Sequence, residues 1–401
     1  MHRREALLLL AALSFTACAT SPFAAPPLPR PDPIAAYGAA PAHPAHEADR
    51  RLAAGLLRLD EAALPWDEGL ADVARILAGR AVEEGAAAVA VEPEEVRVAQ
   101  ARAGAVMADF HPFVVRAGDL AAATGRMREA VANLPADRRR RVGLGVVERD
   151  GVTMVLLLAT AGVRLEPLPS WTRRGATLPI AGALVGGLEA PELTVTPPRG
   201  NPFRVPLEST GAAFRGTARL DEPGRWWIEI LGRDERGPSV AVLLPIWVET
   251  PIPRRADRAP PPPEPAGVAE KERLLAAETN RLRASRGLAP LIVDPVLSRI
   301  ARRYAEELRA TGRFAHVSSI SGDVRARLDA GGYAFERAGE NLAHAPTALL
   351  AHRSLVQSPA HLAVLTQASW REAGFGVALV DGDGAAPGVI VVQIFAAPAD
   401  R

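Results

Sequence analysis

Three short stretches near the C-terminus decide the fold: Gly339-Glu340-Asn341-Leu342-Ala343, Ser358-Pro359-Ala360-His361 and Gly374-Phe375-Gly376-Val377-Ala378. In the second, Ser358 can cap a helix and Pro359 suits the first helical position, which places His361 in the first turn. The third runs on as an apolar strand to Val380 and predicts a paired strand from Val389 to Phe395. Upstream, Leu274, Leu275 and Leu282 recur at helical spacing and predict a helix over residues 269–286. A second helix is predicted from Asp294 to about Thr311, stopped by Gly312. Between that helix and the first quoted stretch lies a polar cluster, Phe314-Ala315-His316-Val317-Ser318-Ser319. Helices and strands thus share one α+β domain over residues 269–398.

In this order and spacing the residues resemble the bacterial branch of the CAP superfamily, the cysteine-rich secretory, antigen 5 and pathogenesis-related-1 proteins. The likeness covers nearly all of residues 270–397. It rests on Asn280 and Arg281, Phe314-x-His316, Gly339-Glu340-Asn341, Ser358-Pro359-x-His361, Gly374-x-Gly376-Val377 and the closing Val392-Gln393-Ile394-Phe395. The resemblance implies an α-β-α sandwich with a surface cleft that gathers His316, Glu340 and His361. Asn341 would brace the neighbouring loop, and Ser358 would stand beside the histidines among the ligand-binding residues. Where eukaryotic members carry a second carboxylate this chain has Ser358, and Leu355 replaces a usual Trp, which weighs against an enzymatic reading.

The chemistry can also be read from the residues. A helix N-terminus disfavours imidazolium, so His361 is expected to be neutral and able to accept a proton or bind a divalent metal. With His316 and Glu340 it would form a two-histidine, one-carboxylate set of the kind that holds Zn²⁺. The other reading is a hydrogen-bonded polar cluster that orders the loops and binds no metal. No His-Glu-x-x-His helix, Gly-x-Ser-x-Gly elbow or cysteine nucleophile supports another mechanism. His344 and His352 fall off the motif positions and are expected at the solvated surface.

Working outward, a Pro-rich segment at 251–268 separates this domain from what precedes it. Residues 164–250 carry β-rich runs, the clearest being Arg225 to Leu231 and Val240 to Val248, with shorter ones at 178–184, 193–196, 203–207 and 214–220. Their rhythm predicts an all-β, immunoglobulin-like sandwich. Pro245 marks an edge strand or a bulge. Trp226, Trp227 and Trp247 are either core residues, which is favoured, or a sugar-stacking platform. Residues 47–163 echo the C-terminal domain: Asp67, Leu70, Ala74 and Arg75 align with Asp294, Leu297, Ala301 and Arg302, and Gly143-x-Gly145 with Gly374-x-Gly376. They are read as a degenerate CAP-like copy, with His111 a remnant of the His316 position and Asp137 in place of His361.

At the N-terminus, Met1-His2-Arg3-Arg4, an apolar run and small residues before Cys18 read as an export signal over residues 1–18. The arrangement resembles a lipoprotein processing site, which implies diacylation of Cys18, and Ala19 after it suits an outer-membrane destination. Residues 19–46 are rich in Pro and Ala and are read as an extended tether. Over 401 residues, 47 Lys and Arg balance 46 Asp and Glu, and the net charge of +1 argues against nucleic acid as a partner. A single Cys excludes an intrachain disulfide and a four-cysteine zinc site. The sequence therefore points to an exported envelope lipoprotein whose partner is an envelope ligand or protein. Binding in the His/Glu cleft is favoured over a zinc-dependent hydrolase and over a non-catalytic scaffold.

Overall fold

A computed structural model describes residues 35–39, 46–85, 92–132, 140–257, 264–380 and 388–399, which pack as one compact unit. The export signal, Cys18 and the segment holding Asp137 lie outside the described residues. The first region comprises β1 (Ala36–Tyr37), α1 (Glu47–Leu57), α2 (Glu68–Glu83), α3 (Pro93–Ala103), β2 (Phe110–Ala117), α4 (Leu120–Ala130), β3 (Arg140–Glu148) and β4 (Val152–Thr160). Its antiparallel sheet has the order β2-β4-β3. Asp67 starts α2 by accepting from the Leu70 amide at 2.9 Å, and the stripe Leu70, Val73, Ala74, Leu77 is fully buried.

The middle region contains only strands: β5 (Val163–Leu165), β6 (Leu168–Pro169), β7 (Trp171–Thr172), β8 (Ala176–Leu184), β9 (Glu189–Thr196), β10 (Phe203–Val205), β11 (Leu207–Thr210), β12 (Ala213–Leu220), β13 (Gly224–Asp234) and β14 (Gly237–Val248). All but β6 form two sheets, β10-β9-β13-β14-β7 and β11-β12-β8-β5, around a shared core that includes Ile180, Val195, Leu220, Ile228 and Ile246. Along β12 buried and exposed residues alternate strictly, as expected for a strand with one wet face. Trp226, Trp227 and Trp247 are 4%, 7% and 3% exposed, so they are interior residues and offer no sugar platform. At Pro245, β14 is paired on one side only, by β13, and the Pro245 carbonyl accepts from Tyr37 Oη at 2.6 Å.

The last region runs α5 (Val268–Ser285), β15 (Ile292–Val293), α6 (Pro295–Thr311), α7 (Val324–Ala330), β16 (Phe335–Ala345), α8 (Ala348–Gln357), α9 (Pro359–Leu365), β17 (Glu372–Val380) and β18 (Gly388–Pro398). The sheet order is β15-β17-β18-β16. Along β18, Val391 and Phe395 face a cluster with α5 and α8, while Val392 and Ile394 face one with α6 and α7. The sheet is therefore covered on both faces, an α-β-α sandwich. The Gly-Glu-Asn stretch lies inside the edge strand β16.

Segments expected as loose tether and linker are partly docked. Tyr37 is fully buried, and β1 pairs with β6. Arg255 pairs with Glu83 at 3.1 Å, and the Ala256 amide donates to Glu95 at 2.8 Å. Between the first two regions, the Leu243 carbonyl on the open edge of β14 accepts from Gln100 at 3.0 Å and from Arg97 at 3.3 Å. Burial pushes the Arg97 guanidinium down to about 10.

One packing device occurs twice. The Asp294 amide donates to the Ala373 carbonyl at 2.9 Å, as the Asp67 amide does to Val142 at 3.0 Å. In each case a helix lies directly on a Gly-x-Gly strand. A Cβ on Gly376 would sit 2.2 Å from the Ala301 carbonyl carbon, and one on Gly145 2.2 Å from the Arg75 nitrogen. Both glycines exist to let backbones touch. In this matched register His111, on β2, stands level with Gly339 of β16, so it is not a counterpart of His316. Gly145→Ala and Gly376→Ala are each expected to lower unfolding free energy by about 3 kcal/mol in urea titrations. Gly125→Ala, on α4 with open space around it, should instead stabilise by about 0.5–1 kcal/mol.

Candidate functional site

The site is assembled from four elements of the CAP-like region and one strand of the β-sandwich. Glu340 enters from β16, with its side chain 3% exposed. One of its oxygens meets His316 Nδ1 at 2.9 Å and the other takes Arg327 from α7. The Arg327 guanidinium also donates to the Gly322 carbonyl at 2.6 Å and lies 3.4 Å from the centroid of the Tyr304 ring. Tyr304 donates to the Ala315 carbonyl at 2.5 Å, next to His316 in the chain. Burial pushes this phenol up to about 12, so it remains a donor.

His361 sits in the first turn of α9, where Ser358 was expected to cap the helix. The Ser358 hydroxyl makes no such cap. It lies between His361 Nδ1, at 2.6 Å, and a carboxylate oxygen of Glu229 on β13. The second Glu229 oxygen accepts from the Ala360 amide at 2.6 Å, so the cap is supplied by a strand of the middle region. His361 is pushed down to about 3, by burial first and then by the charge of His316, and is neutral at ordinary pH. The sequence attributed this neutrality to the helix dipole; desolvation is the larger cause. Asn341 donates from Nδ2 to the His361 carbonyl at 3.2 Å, tying β16 to α9.

His316, Glu340, Asn341, Ser358 and His361 are thus brought together. They do not present a metal centre: among the described residues no group of three His, Cys, Asp or Glu side chains is arranged to hold an ion. Glu340 is committed to Arg327 and His316, and Ser358 separates His361 from Glu229. The expected Zn²⁺ set of His316, His361 and Glu340 does not fit this donor geometry. Nor is Ser358 a primed nucleophile, since it sits between the histidine and the carboxylate instead of at the end of the chain.

Two site residues escaped the sequence reading. Glu229 was the one charge in the run Trp226-Trp227-Ile228-Glu229-Ile230-Leu231, a pattern that marks a buried carboxylate needing donors. Arg327 was the cation that a buried Glu340 requires. His352 is not at the surface: it is 5% exposed and burial pushes it down to about 4. His344 is also half-buried, its ring 5.4 Å from that of His111 on the first region.

Known proteins resemble part of this chain. Residues 276–395 match the model of the Cysteine-rich secretory protein family, CAP. These residues therefore form a CAP domain, as the order of motifs implied. A curated relative, the "Uncharacterized membrane protein YlbC" of Bacillus subtilis (strain 168), is 31% identical over 103 residues, which is 25% of this chain and 29% of that protein. Among solved structures, an outer surface protein of Borrelia burgdorferi is 21% identical and covers 32% of this chain and 93% of its own, with a TM-score of 0.30. An extracellular protein containing an SCP domain from Bacillus anthracis is 17% identical and covers 55% of this chain and 81% of its own, with a TM-score of 0.29.

The proton balance at Glu229 has a definite sign. Burial raises it from 4.5 to about 7, so the folded chain holds a proton that the unfolded chain has released. Its contribution to stability is full below pH 4.5 and is lost as pH rises to about 7, a change of about 3 kcal/mol. His361 acts oppositely: its contribution is full above pH 6.5 and is lost as pH falls towards about 3. Glu229→Gln removes only the first slope. Urea titrations of the two chains from pH 4.5 to 8 should show the variant gaining on the parent as pH rises, whereas parallel curves would refute the assignment.

Proposed function

We propose that this chain is an exported, non-catalytic binding protein of the cell envelope, anchored to the outer membrane by acyl chains on Cys18. Its CAP domain would hold an envelope ligand (a glycan, lipid or peptide) at the face of His316 and His361. The basic n-region, short apolar run and small residues before Cys18 support the export and anchoring. Among the described residues no helix is long and apolar enough to cross a membrane.

One observation carries the binding reading. Both imidazoles are fixed at Nδ1, His316 by Glu340 and His361 by Ser358, while the His316 side chain remains 24% exposed. Fixed rings with an accessible edge are suited to hydrogen-bonding a ligand, and no neighbouring group is poised to turn it over. The two-sheet middle region is read as an immunoglobulin-like spacer. Residues 47–163 are read as a diverged CAP copy, supported by the repeated helix-on-glycine packing; Pro112 and Phe113 stand level there with Glu340 and Asn341, so the copy lacks this chemistry.

Mass spectrometry of small molecules co-purifying with the full chain tests this reading. The parent is expected to retain a ligand that His316→Ala/His361→Ala loses, and both should lack stoichiometric metal. Equal ligand profiles, or metal bound one to one by the parent alone, would contradict it. Cys18→Ser should release the chain from the membrane fraction.

A further inference from the structure

Where the β-sandwich meets the CAP domain, a trench of about 540 Å³ runs between the β9–β10 edge and helix α9. Neither histidine nor Glu340 lines it, so it is separate from the site above. The floor is made by Gly232, Ala338, Gly339, Ala360 and Ala363, whose small side chains leave peptide groups within reach of a ligand. Trp370 closes one side, since a Cβ on Gly339 would lie only 3.0 Å from its ring. Phe203, 44% exposed, stands on the opposite wall.

The walls carry three arginines, Arg204, Arg233 and Arg337, against a single acid, Glu192. Glu192 is paired with Arg204 at 2.8 Å. Arg233 and Arg337 are exposed and have no acidic partner among the described residues. Two uncompensated guanidinium forks beside the trench call for an anion with paired oxygens. An acyl chain would need an enclosed slot, whereas this trench is open to solvent and flanked by charge. Flat aromatic surface beside forked donors suits sugar rings that carry acid groups.

We propose that this interdomain trench binds an acidic sugar chain, its carboxylates or phosphates taken by Arg233 and Arg337 and a ring laid against Phe203. The site belongs to neither domain alone, because Arg233 and Phe203 come from the sandwich and Arg337 from β16. Calorimetry on the full chain with hexagalacturonate, phosphorylated maltohexaose and neutral maltohexaose tests it, with phosphatidylglycerol vesicles as a further probe. At least one acidic sugar should bind about tenfold more tightly than the neutral one, and more weakly as salt rises. Arg233→Gln/Arg337→Gln should cost about a hundredfold in affinity with the fold unchanged, both side chains being exposed. Ala363→Trp, which fills the trench without touching charge, should also abolish binding. Equal affinity for neutral sugar, binding unaffected by these variants, no binding of either acidic sugar, or preference for the vesicles would overturn the proposal.

Discussion

A fully buried carboxylate on an otherwise apolar strand governs how this molecule is put together. Glu229 is 0% exposed, and its desolvation is offset first by donors from the last region, the Ser358 hydroxyl and the Ala360 amide, and then by the charge of Arg97. Those donors open the helix that carries His361, so the sandwich fixes the start of α9 and, through Ser358, the plane of the imidazole. The hairpin between β13 and β14 acts on the other histidine: the Arg236 carbonyl accepts from the amides of His316 and Val317 at 3.1 and 3.0 Å. The polar centre of the CAP domain is therefore partly built by its neighbour.

The same logic of completing a neighbour's unsatisfied groups joins the first region to the sandwich. The open edge of β14 would leave carbonyls bare at Leu243 and Pro245, and Arg97, Gln100 and Tyr37 cover them. A further ion pair, Arg353 to Glu92 at 3.5 Å, links the first region to α8. The described parts of the Pro-rich linkers follow this rule, docking through single residues such as Tyr37 and Ala256. Composition describes such segments as extended, yet a chain docked by one buried aromatic acts as a strap.

Local signals were legible in the sequence where one residue has one physical consequence. Asp294 and Gly312 bound α6 because a cap and a left-handed stop are local events. The runs ending at Leu231 and Val248 are strands because their β-rich pattern has no competing helical period. The convergence of His316, Glu340 and His361 was carried by the order of motifs. Illegible were the features that depend on a partner far along the chain. Ser358 has the chemistry of a cap, but the Glu229 carboxylate from β13 accepts the Ala360 amide in its place. Gly339-Glu340-Asn341 carries no strand pattern of its own, yet pairing with β18 makes it a strand. His352 is buried by α5 packing on α8, which its own neighbours do not reveal.

The central claim is that sandwich and CAP domain are coupled through Glu229 and Ser358, and a double-mutant cycle on unfolding free energy measures that coupling directly. With Glu229→Gln, Ser358→Ala and the double variant at pH 8, an interaction energy of about 1–3 kcal/mol is expected. Additivity within about 0.5 kcal/mol would mean that the two side chains merely lie side by side, and the CAP centre would then stand on its own.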